Sequence, residues 1–438
     1  MTDAPIFSVV MATYNRGRHI LPSIRSVEQQ SLSELELIVV GDHCTDDTAE
    51  IVQTHPFRKV RWLNLEARCG SQSFPNNAGI AAARGEFIAY IGHDDIWAPD
   101  HLQSLLGVFL ADPATGIAVS GAIFHFPNGM AGSQVTGLFD SDEAKFTHFF
   151  PPSSFAHRKE LTAAIGPWRA PGEIRPPVDA ELLLRAAEAG TRFASTGRVT
   201  VHKFAAGHRY LSYVRHESHE QAAMLERMAR PDFDREVADI VEAAKSGGSH
   251  MVVVYRDFSG LEPGQLAREN RWRKGVERPP LLPLGKARKI EQRDEPCALD
   301  WDDEPEDGIR WHLRNPRPRF LIPFTTDRTV KLSILLAHSD KGALRSLALK
   351  CNGVPLAMRV GEPRQLEAIW VATATAKTRL LKDDYTILEF DLAEEQTTRP
   401  GRRGLGIGDI SLEARRRFGW RDALAAFFGH SRRSRSAA

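Results

Sequence analysis

Short, wholly apolar runs alternate with amphipathic stretches at the start of the chain. Phe7-Ser8-Val9-Val10-Met11-Ala12 reads as a buried strand that stops at the polar run Thr13-Tyr14-Asn15-Arg16-Gly17. Ile20, Leu21, Ile24 and Val27 then recur at helical spacing, the mark of an amphipathic helix. Leu35–Val40 is a second buried strand, ending at Gly41-Asp42, and Thr45-Asp46-Asp47-Thr48 caps the next helix. Val60–Leu63 is a third strand, and a helix over Asn77–Arg84 leads into a fourth at Phe87–Ile91. Strands and helices that alternate through short turns predict a parallel, doubly wound sheet. The chain has no internal repeat and neither GxGxxG nor GxxxxGK[ST], so neither a dinucleotide fold nor a P-loop is supported.

The texture changes further on. From Tyr213 to Lys245 the apolar positions Ala222, Leu225, Met228, Val237, Ile240 and Val241 keep helical spacing. Lys274–Glu295 is rich in proline and charge without a period, as in a linker. Short strands follow at Arg319–Pro323, Val330–Ala337, Leu344–Cys351, Glu367–Val371, Thr386–Leu392 and Leu405–Leu412, and Asn352-Gly353 is a strong hairpin signal. They predict an antiparallel sandwich of about 100 residues. The expected organisation is an α/β domain over 1–215, a helical extension over 216–273, a linker over 274–300, an all-β sandwich over 301–413 and a tail over 414–438. In that tail Trp420, Leu424, Phe427 and Phe428 share one helical face, and Arg415–Ala438 holds seven arginines against one aspartate. A basic, aromatic helix of this kind suits an anionic membrane surface, or equally a packing helix followed by a basic end.

The strand ends carry the chemistry. Thr13-Tyr14-Asn15 follows the first strand, Asp42 the second and Asp94-Asp95 the fourth. In a parallel sheet these ends converge on one edge, where open α/β sheets bind ligands. Tyr14 can stack on a base, Asp42 can accept a hydrogen bond from the base, and paired hard oxygens suit Mg²⁺ or Mn²⁺ on a phosphate. Taken alone, Asp94-Asp95 is equally a turn that caps the following helix. Composition narrows the field. A net charge of +1 gives no global field for nucleic acid. No stretch approaches the roughly 18–20 apolar residues that cross a bilayer, and the N-terminus lacks a basic leader. Cys44, Cys69, Cys297 and Cys351 form neither a disulfide framework nor a zinc spacing, which suits a reducing cytoplasm.

Five segments, in order, resemble family 2 glycosyltransferases of the GT-A fold. Ser8–Arg16 resembles their opening strand, and Val40-Gly41-Asp42-His43-Cys44-Thr45-Asp46-Asp47-Thr48 their second-strand motif, usually Asp-Asp-Gly-Ser-Thr-Asp-Asp-Thr. Asn77-Ala78-Gly79-Ile80 through Arg84-Gly85-Glu86 to Asp94-Asp95-Ile96-Trp97 is similar to the run reaching the metal-binding aspartates. Pro152-Ser153-Ser154-Phe155, with Arg158, Gly166 and Trp168, resembles the acceptor-side strand and loop. Val178-Asp179-Ala180-Glu181-Leu182 through Arg185 resembles the Glu-Asp-x-x-Leu-x-x-Arg helix. Gly41, His93 and Val178 depart from the usual residues. The resemblance implies a Rossmann-like mixed sheet and an inverting transfer, with a β-sandwich module appended. It places Thr13, Tyr14, Asn15, Asp42, Asn77, Arg84 and Asp94 around the nucleotide sugar, and Asp95 with His208 on Mn²⁺ or Mg²⁺. Asp179, otherwise the N-cap of Ala180–Ala189, becomes the general base. His202 reads as structural, and Lys203 and Arg209 as cations near the diphosphate or as solvated loop residues.

The expected function is therefore metal-dependent transfer of a sugar, from a UDP- or dTDP-linked donor by preference, to a hydroxyl of a glycan or lipid-linked acceptor in bacterial cell-surface polysaccharide synthesis. The expected setting is cytoplasmic, with peripheral contact on the inner membrane face as a variant. An inactive carbohydrate-binding scaffold and a nucleotidyltransferase are the alternatives. The first conflicts with the retention of Asp42, Asp94, Asp95 and Asp179. The second conflicts with Thr13–Arg18, which is not a glycine-rich cationic loop.

Overall fold

The structure is a computed structural model that describes residues 4–126, 134–139, 150–204, 212–213, 216–247, 250–251, 258–274, 281–290, 309–311, 318–367, 369–382, 385–391 and 405–414. These divide into two compact units, the first holding the described residues up to 274 and the second those from 281 onward.

The first unit is built on a mixed sheet. Its strands are β1 (Phe7–Thr13), β2 (Leu35–Gly41), β3 (Val60–Asn64), β4 (Phe87–Tyr90), β5 (Ile96–Trp97), β6 (Thr115–His125), β7 (Gln134–Thr136), β8 (Phe155–Arg158), β9 (Arg192–Phe204) and β10 (His250–Met251). The main order is β10-β7-β6-β8-β4-β1-β2-β3, with β9 pairing both β6 and β5. β3, β2, β1 and β4 run parallel, as the strand–helix alternation predicts, and β8 turns the sheet antiparallel beyond them. The order reverses on either side of β1, so a crevice opens at the carboxyl ends of β1, β2 and β4.

Alternation along each strand supplies two cores. Phe7, Val9 and Met11 point to one face, where they meet Ile20, Ile24 and Val27 beside Leu102, Leu105 and Phe109. The first group lies on α1 (Leu21–Glu28) and the turn before it, the second on α4 (His101–Ala111). Val10, Ile38, Ile88 and Tyr90 point to the other face, against Trp168 and against Leu182, Leu183 and Ala186 of α6. The remaining helices of this first half are α2 (Thr48–Thr54), α3 (Ser73–Ala82), α5 (Glu160–Ile165) and α6 (Val178–Glu188). Each large apolar side chain buried this way contributes about 1.5–3 kcal/mol.

The expected helical extension exists as α7 (His219–Met228), α8 (Phe233–Ser246) and α9 (Gln265–Lys274). It belongs to the first unit and is no separate body: Met224 and Phe233 share a small core with Ile96 and Phe204.

The second unit is an antiparallel sandwich. In one sheet the strand Thr329–His338 lies between Ile369–Arg379 and Gly406–Ala414. The other sheet contains Arg319–Ile322, Thr386–Asp391, Ala348–Cys351 and Val354–Pro355. Val330, Leu332, Ile334 and Leu336 alternate inward and meet Phe320, Ile322, Leu349, Leu388 and Phe390 in one core. Asn352 and Gly353 both have positive φ (52° and 79°), as a two-residue hairpin demands.

Two expectations are corrected here. The segment expected as a linker over 274–300 already contributes strands. Ala287–Ile290 pairs with Gly406–Ala414, and Leu282–Pro283 with Phe324–Thr325. Ile290 alone of Ala287–Ile290 is buried, which is why a charged edge strand carried no periodic signal. The expected strand Leu344–Cys351 is half helix: Asp340 accepts from the amides of Gly342 and Ala343 and starts Lys341–Ser346. The tail over 415–438, with Trp420, Leu424, Phe427 and Phe428, lies outside the described residues.

Candidate functional site

A cleft of about 440 Å³ opens at the carboxyl ends of β1, β2 and β4. Thr13, Tyr14, Asp42, Asp94, Asp95 and Asp179 all line it, as do Asn76, Lys203 and the guanidinium-bearing Arg68, Arg175 and Arg271. The sheet brings together five of the nine residues expected to bind donor or metal, together with the expected base.

The carboxylate pair after β4 is split by its surroundings. Asp95 is fully buried. Its Oδ2 accepts from the Ser153 hydroxyl at 2.5 Å and from the Lys203 ammonium at 2.8 Å, and its Oδ1 accepts from the Phe204 amide at 3.2 Å. Gly92 leaves room for this arrangement, since a Cβ there would come within 2.7 Å of Asp95 Oδ2. Asp94 instead keeps 20% of its side chain exposed and lies 3.5 Å from Arg16. Arg16 is itself buried. Its guanidinium donates to the Ser212 carbonyl at 2.8 Å and lies over the Tyr213 ring, while its amide donates to Thr48 Oγ1. Both carboxylates line the cleft, but the Asp95 oxygens are engaged by Ser153, Lys203 and the Phe204 amide, and Asp94 is the more exposed of the two.

Lys203 is the penultimate residue of β9, which carries its ammonium to the cleft. Burial disfavours the charged form, but Asp95 first and then Asp94 and Asp179 outweigh it and hold the Lys203 pKa above the ordinary lysine value.

Asp42 is oriented by the loop between β3 and α3. Its two oxygens accept the amides of Cys69 and Gly70, both at 2.7 Å. Gly41, which stands where the family motif has an aspartate, could carry no side chain: a Cβ would fall 2.4 Å from Asn64 and 2.7 Å from Trp62. The Arg68 guanidinium lies 4.1 Å from the Tyr14 ring centre, already stacked on one face. Asp179 lies in the first turn of α6 and Pro177 takes the capping position, so its carboxylate is not the N-cap. It is 9% exposed and bonds its own neighbour, the Ala180 amide, at 3.1 Å.

Three expected site residues do other work. Asn77 turns away from the cleft and pairs both ways with the Trp168 backbone, at 2.9 Å each. Its neighbour Asn76 lines the cleft, nearly fully buried, and its Nδ2 has no hydrogen-bond partner among the described residues. Thr13 Oγ1 is in the same state, so two buried polar groups beside the cleft are left for a ligand to satisfy. Arg84 ion-pairs with Glu36 at 3.0 Å on the scaffold. Burial would raise the Glu36 pKa, but hydrogen bonds from Ser8, Arg84 and Arg61 lower it. Asn15, with φ +43°, accepts the Thr45 amide and links the ends of β1 and β2. His202 is buried against His125 and Phe233. His208 and Arg209 lie outside the described residues. Sequence reading missed Asn76, Arg68, Arg175, Arg271 and the extension helix α9, from which Leu266, Ala267 and Arg271 reach the cleft. Only the adjacency of Asn76 to the motif residue Asn77 gave any signal.

Among the described residues no group of three His, Cys, Asp or Glu side chains converges to hold a metal. The described donor set does not fit a divalent ion. Asp95 is sequestered, Asp94 is paired with a guanidinium, and an ammonium already stands among the acids. Thiol chemistry is also disfavoured, because burial pushes the Cys44 and Cys69 thiols up to about 11.

The mixed α/β sheet is of the GT-A type, with a polar cleft at its switch point. Residues 8–135 match the family model described as glycosyl transferase family 2. An uncharacterized glycosyltransferase of Nostoc sp. is 34% identical over 113 residues, 25% of this chain and 34% of that protein. The succinoglycan biosynthesis protein ExoO of Rhizobium meliloti is 35% identical over 102 residues, 23% and 29% of the two chains. The chain thus spans about a third of the length of the curated relatives it matches. Staphylococcus aureus TarS aligns over 95% of this chain and 97% of its own, with 12% identity and a TM-score of 0.40. The mannosyltransferase PcManGT of Pyrobaculum calidifontis, solved with GDP-Man and Mn²⁺, aligns over 63% and 82% with 18% identity and a TM-score of 0.37. Superpositions this loose add nothing to the strand order itself. No helix among the described residues is long and apolar enough to cross a membrane.

Proposed function

We propose that this protein is an inverting glycosyltransferase, moving a sugar from a nucleoside-diphosphate donor to a hydroxyl of a glycan or lipid-linked acceptor in cell-surface polysaccharide synthesis. The observation that carries the reading is the single cleft lined by Tyr14, Asp42 and Asp94 from the strand ends, by cationic Lys203, Arg175 and Arg271, and by Asp179 from α6, within a unit matched to family 2. Tyr14 and Asp42 form the nucleotide end, and the cations accompany the diphosphate. Asp179 takes the proton of the acceptor hydroxyl as its oxygen bonds to the anomeric carbon. The bond from that carbon to the diphosphate breaks, and the nucleoside diphosphate departs with the electron pair. The similarity to ExoO, a succinoglycan biosynthesis protein, supports the polysaccharide setting.

The test is release of nucleoside diphosphate from a panel of UDP-, dTDP- and GDP-sugars, with glycan and lipid-linked hydroxyl acceptors. At least one donor should turn over, and pyrophosphate should not appear. Asp179→Asn should lower turnover by roughly 10²–10⁴-fold with donor affinity near wild type. A panel that yields neither binding nor nucleoside diphosphate overturns the reading. Equal losses of affinity and turnover in the variant remove Asp179 from the role of base.

A further inference from the structure

We propose that the Lys203 ammonium is the resident cation of the acid cluster in this cleft, and that the donor's diphosphate binds there without a divalent metal. This deepens the reading above and rests on its nucleoside-diphosphate donor.

Three observations carry it. First, the carboxylate with the deepest burial is committed: Asp95 is fully buried, with Ser153, Lys203 and the Phe204 amide on its oxygens. It is packed against Gly92 so closely that a Cβ there would fall at 2.7 Å, and swinging it outward would break all three bonds. Second, the more exposed carboxylate of the pair has its own cation, since Asp94 lies 3.5 Å from Arg16. Arg16 is 4% exposed and tied to the Ser212 carbonyl and the Tyr213 ring, so it neutralises Asp94 in place and does not reach for a ligand. Third, Lys203 does both. Its side chain is 23% exposed, it lines the cleft, and one of its three N–H groups goes to Asp95. Among the described residues two further N–H groups remain to offer phosphate oxygens.

A hard dication needs oxygen ligands in number, and keeps its affinity only where they are not already paired. Here it would meet Asp94 already beside a guanidinium and Asp95 already bonded to an ammonium. An ammonium is a compact point charge suited to phosphate. Placed on Asp95, it can offset the charge that grows on the departing diphosphate as the sugar–oxygen bond breaks. Arg175 and Arg271 line the same cleft and supply the second charge that a single lysine lacks.

The experiment is calorimetric titration of the full chain with UDP, with dTDP and with GDP, once in EDTA and once in excess Mn²⁺. Electron paramagnetic resonance of Mn²⁺ added to the protein without nucleotide accompanies it. At least one nucleotide should bind in EDTA, with affinity within about threefold of that in Mn²⁺, and the spectrum should remain that of the aquo ion. Lys203→Met should weaken nucleotide binding in EDTA by roughly 10–100-fold, the size of a lost charge-assisted contact, and Lys203→Arg should restore part of it. If Lys203→Met fails to fold, the charge-neutral double variant Asp95→Asn/Lys203→Met takes its place in the titration. Nucleotide binding that needs Mn²⁺, or stoichiometric loss of the Mn²⁺ signal, overturns the inference and leaves the transferase reading standing. Unchanged affinity in the folded lysine variant also overturns it. Absence of nucleotide binding under both conditions overturns the transferase reading itself.

Discussion

Asp95→Asn is nearly isosteric, yet it should cost about 2–3 kcal/mol of stability. The carboxylate accepts three hydrogen bonds in a fully buried position, and one comes from the Lys203 ammonium at 2.8 Å. Asparagine keeps an oxygen for the Phe204 amide or for Ser153. It loses the ion pair and turns an amide N–H₂ toward an ammonium. Breaking a fully buried pair costs about 3–5 kcal/mol, and an exposed pair is worth about 0–1. Lys203 is 23% exposed and can turn toward solvent, which places the cost below the buried range but well above the exposed one. The assay is urea unfolding of wild type, Asp95→Asn, Lys203→Met and the double variant, followed by far-ultraviolet circular dichroism. The double variant, which strands no charge, should be more stable than the sum of the single losses predicts by at least about 1 kcal/mol. A single-variant loss under about 0.5 kcal/mol, or a coupling near zero, would refute the reasoning and return Asp95 to the ligand-binding role that its sequence position suggests.

Gly92→Ala should destabilise the protein by about 1–3 kcal/mol and weaken nucleotide binding, because its Cβ would approach Asp95 Oδ2 at 2.7 Å and Asp94 Oδ1 at 3.1 Å. A variant with wild-type stability and affinity in the same melts and titrations would show that the turn adjusts freely. Stability should also fall below neutral pH. Burial holds His101 at about 3 and His157 at about 4, both below the unfolded value of about 6.5. The unfolded chain therefore takes up protons that the folded chain refuses. The stabilisation is whole above about pH 6.5 and is lost as pH falls toward 4, by at most about 1.4 kcal/mol per pH unit for each histidine. His157→Gln should flatten that slope in urea melts at pH 5, 6 and 7; an unchanged slope would assign the effect to other groups.

The sequence by itself determined the strand–helix alternation, the convergence of Thr13, Tyr14, Asp42 and Asp94-Asp95 on one sheet edge, and the hairpin at Asn352-Gly353. These rest on local periodicity and turn geometry, and a parallel sheet has only one edge where such ends can meet. Tertiary structure decided which of two adjacent aspartates is held by the scaffold and which stays partly exposed. The answer comes from Ser153, 58 positions away, and from Lys203, 108 positions away, neither of which shares any local pattern with Asp95. It likewise turned Asn77 onto Trp168 and Asn76 toward the cleft, because a helix in contact with the sheet gives neighbouring residues different surroundings. Arg271 reached the site only because α9 belongs to the first unit, where sequence spacing suggested a separate extension. Motif and periodicity fix where polar groups leave the sheet. The partners that neutralise them come from distant strands and helices, so the division of labour within the site appears only once those elements are packed.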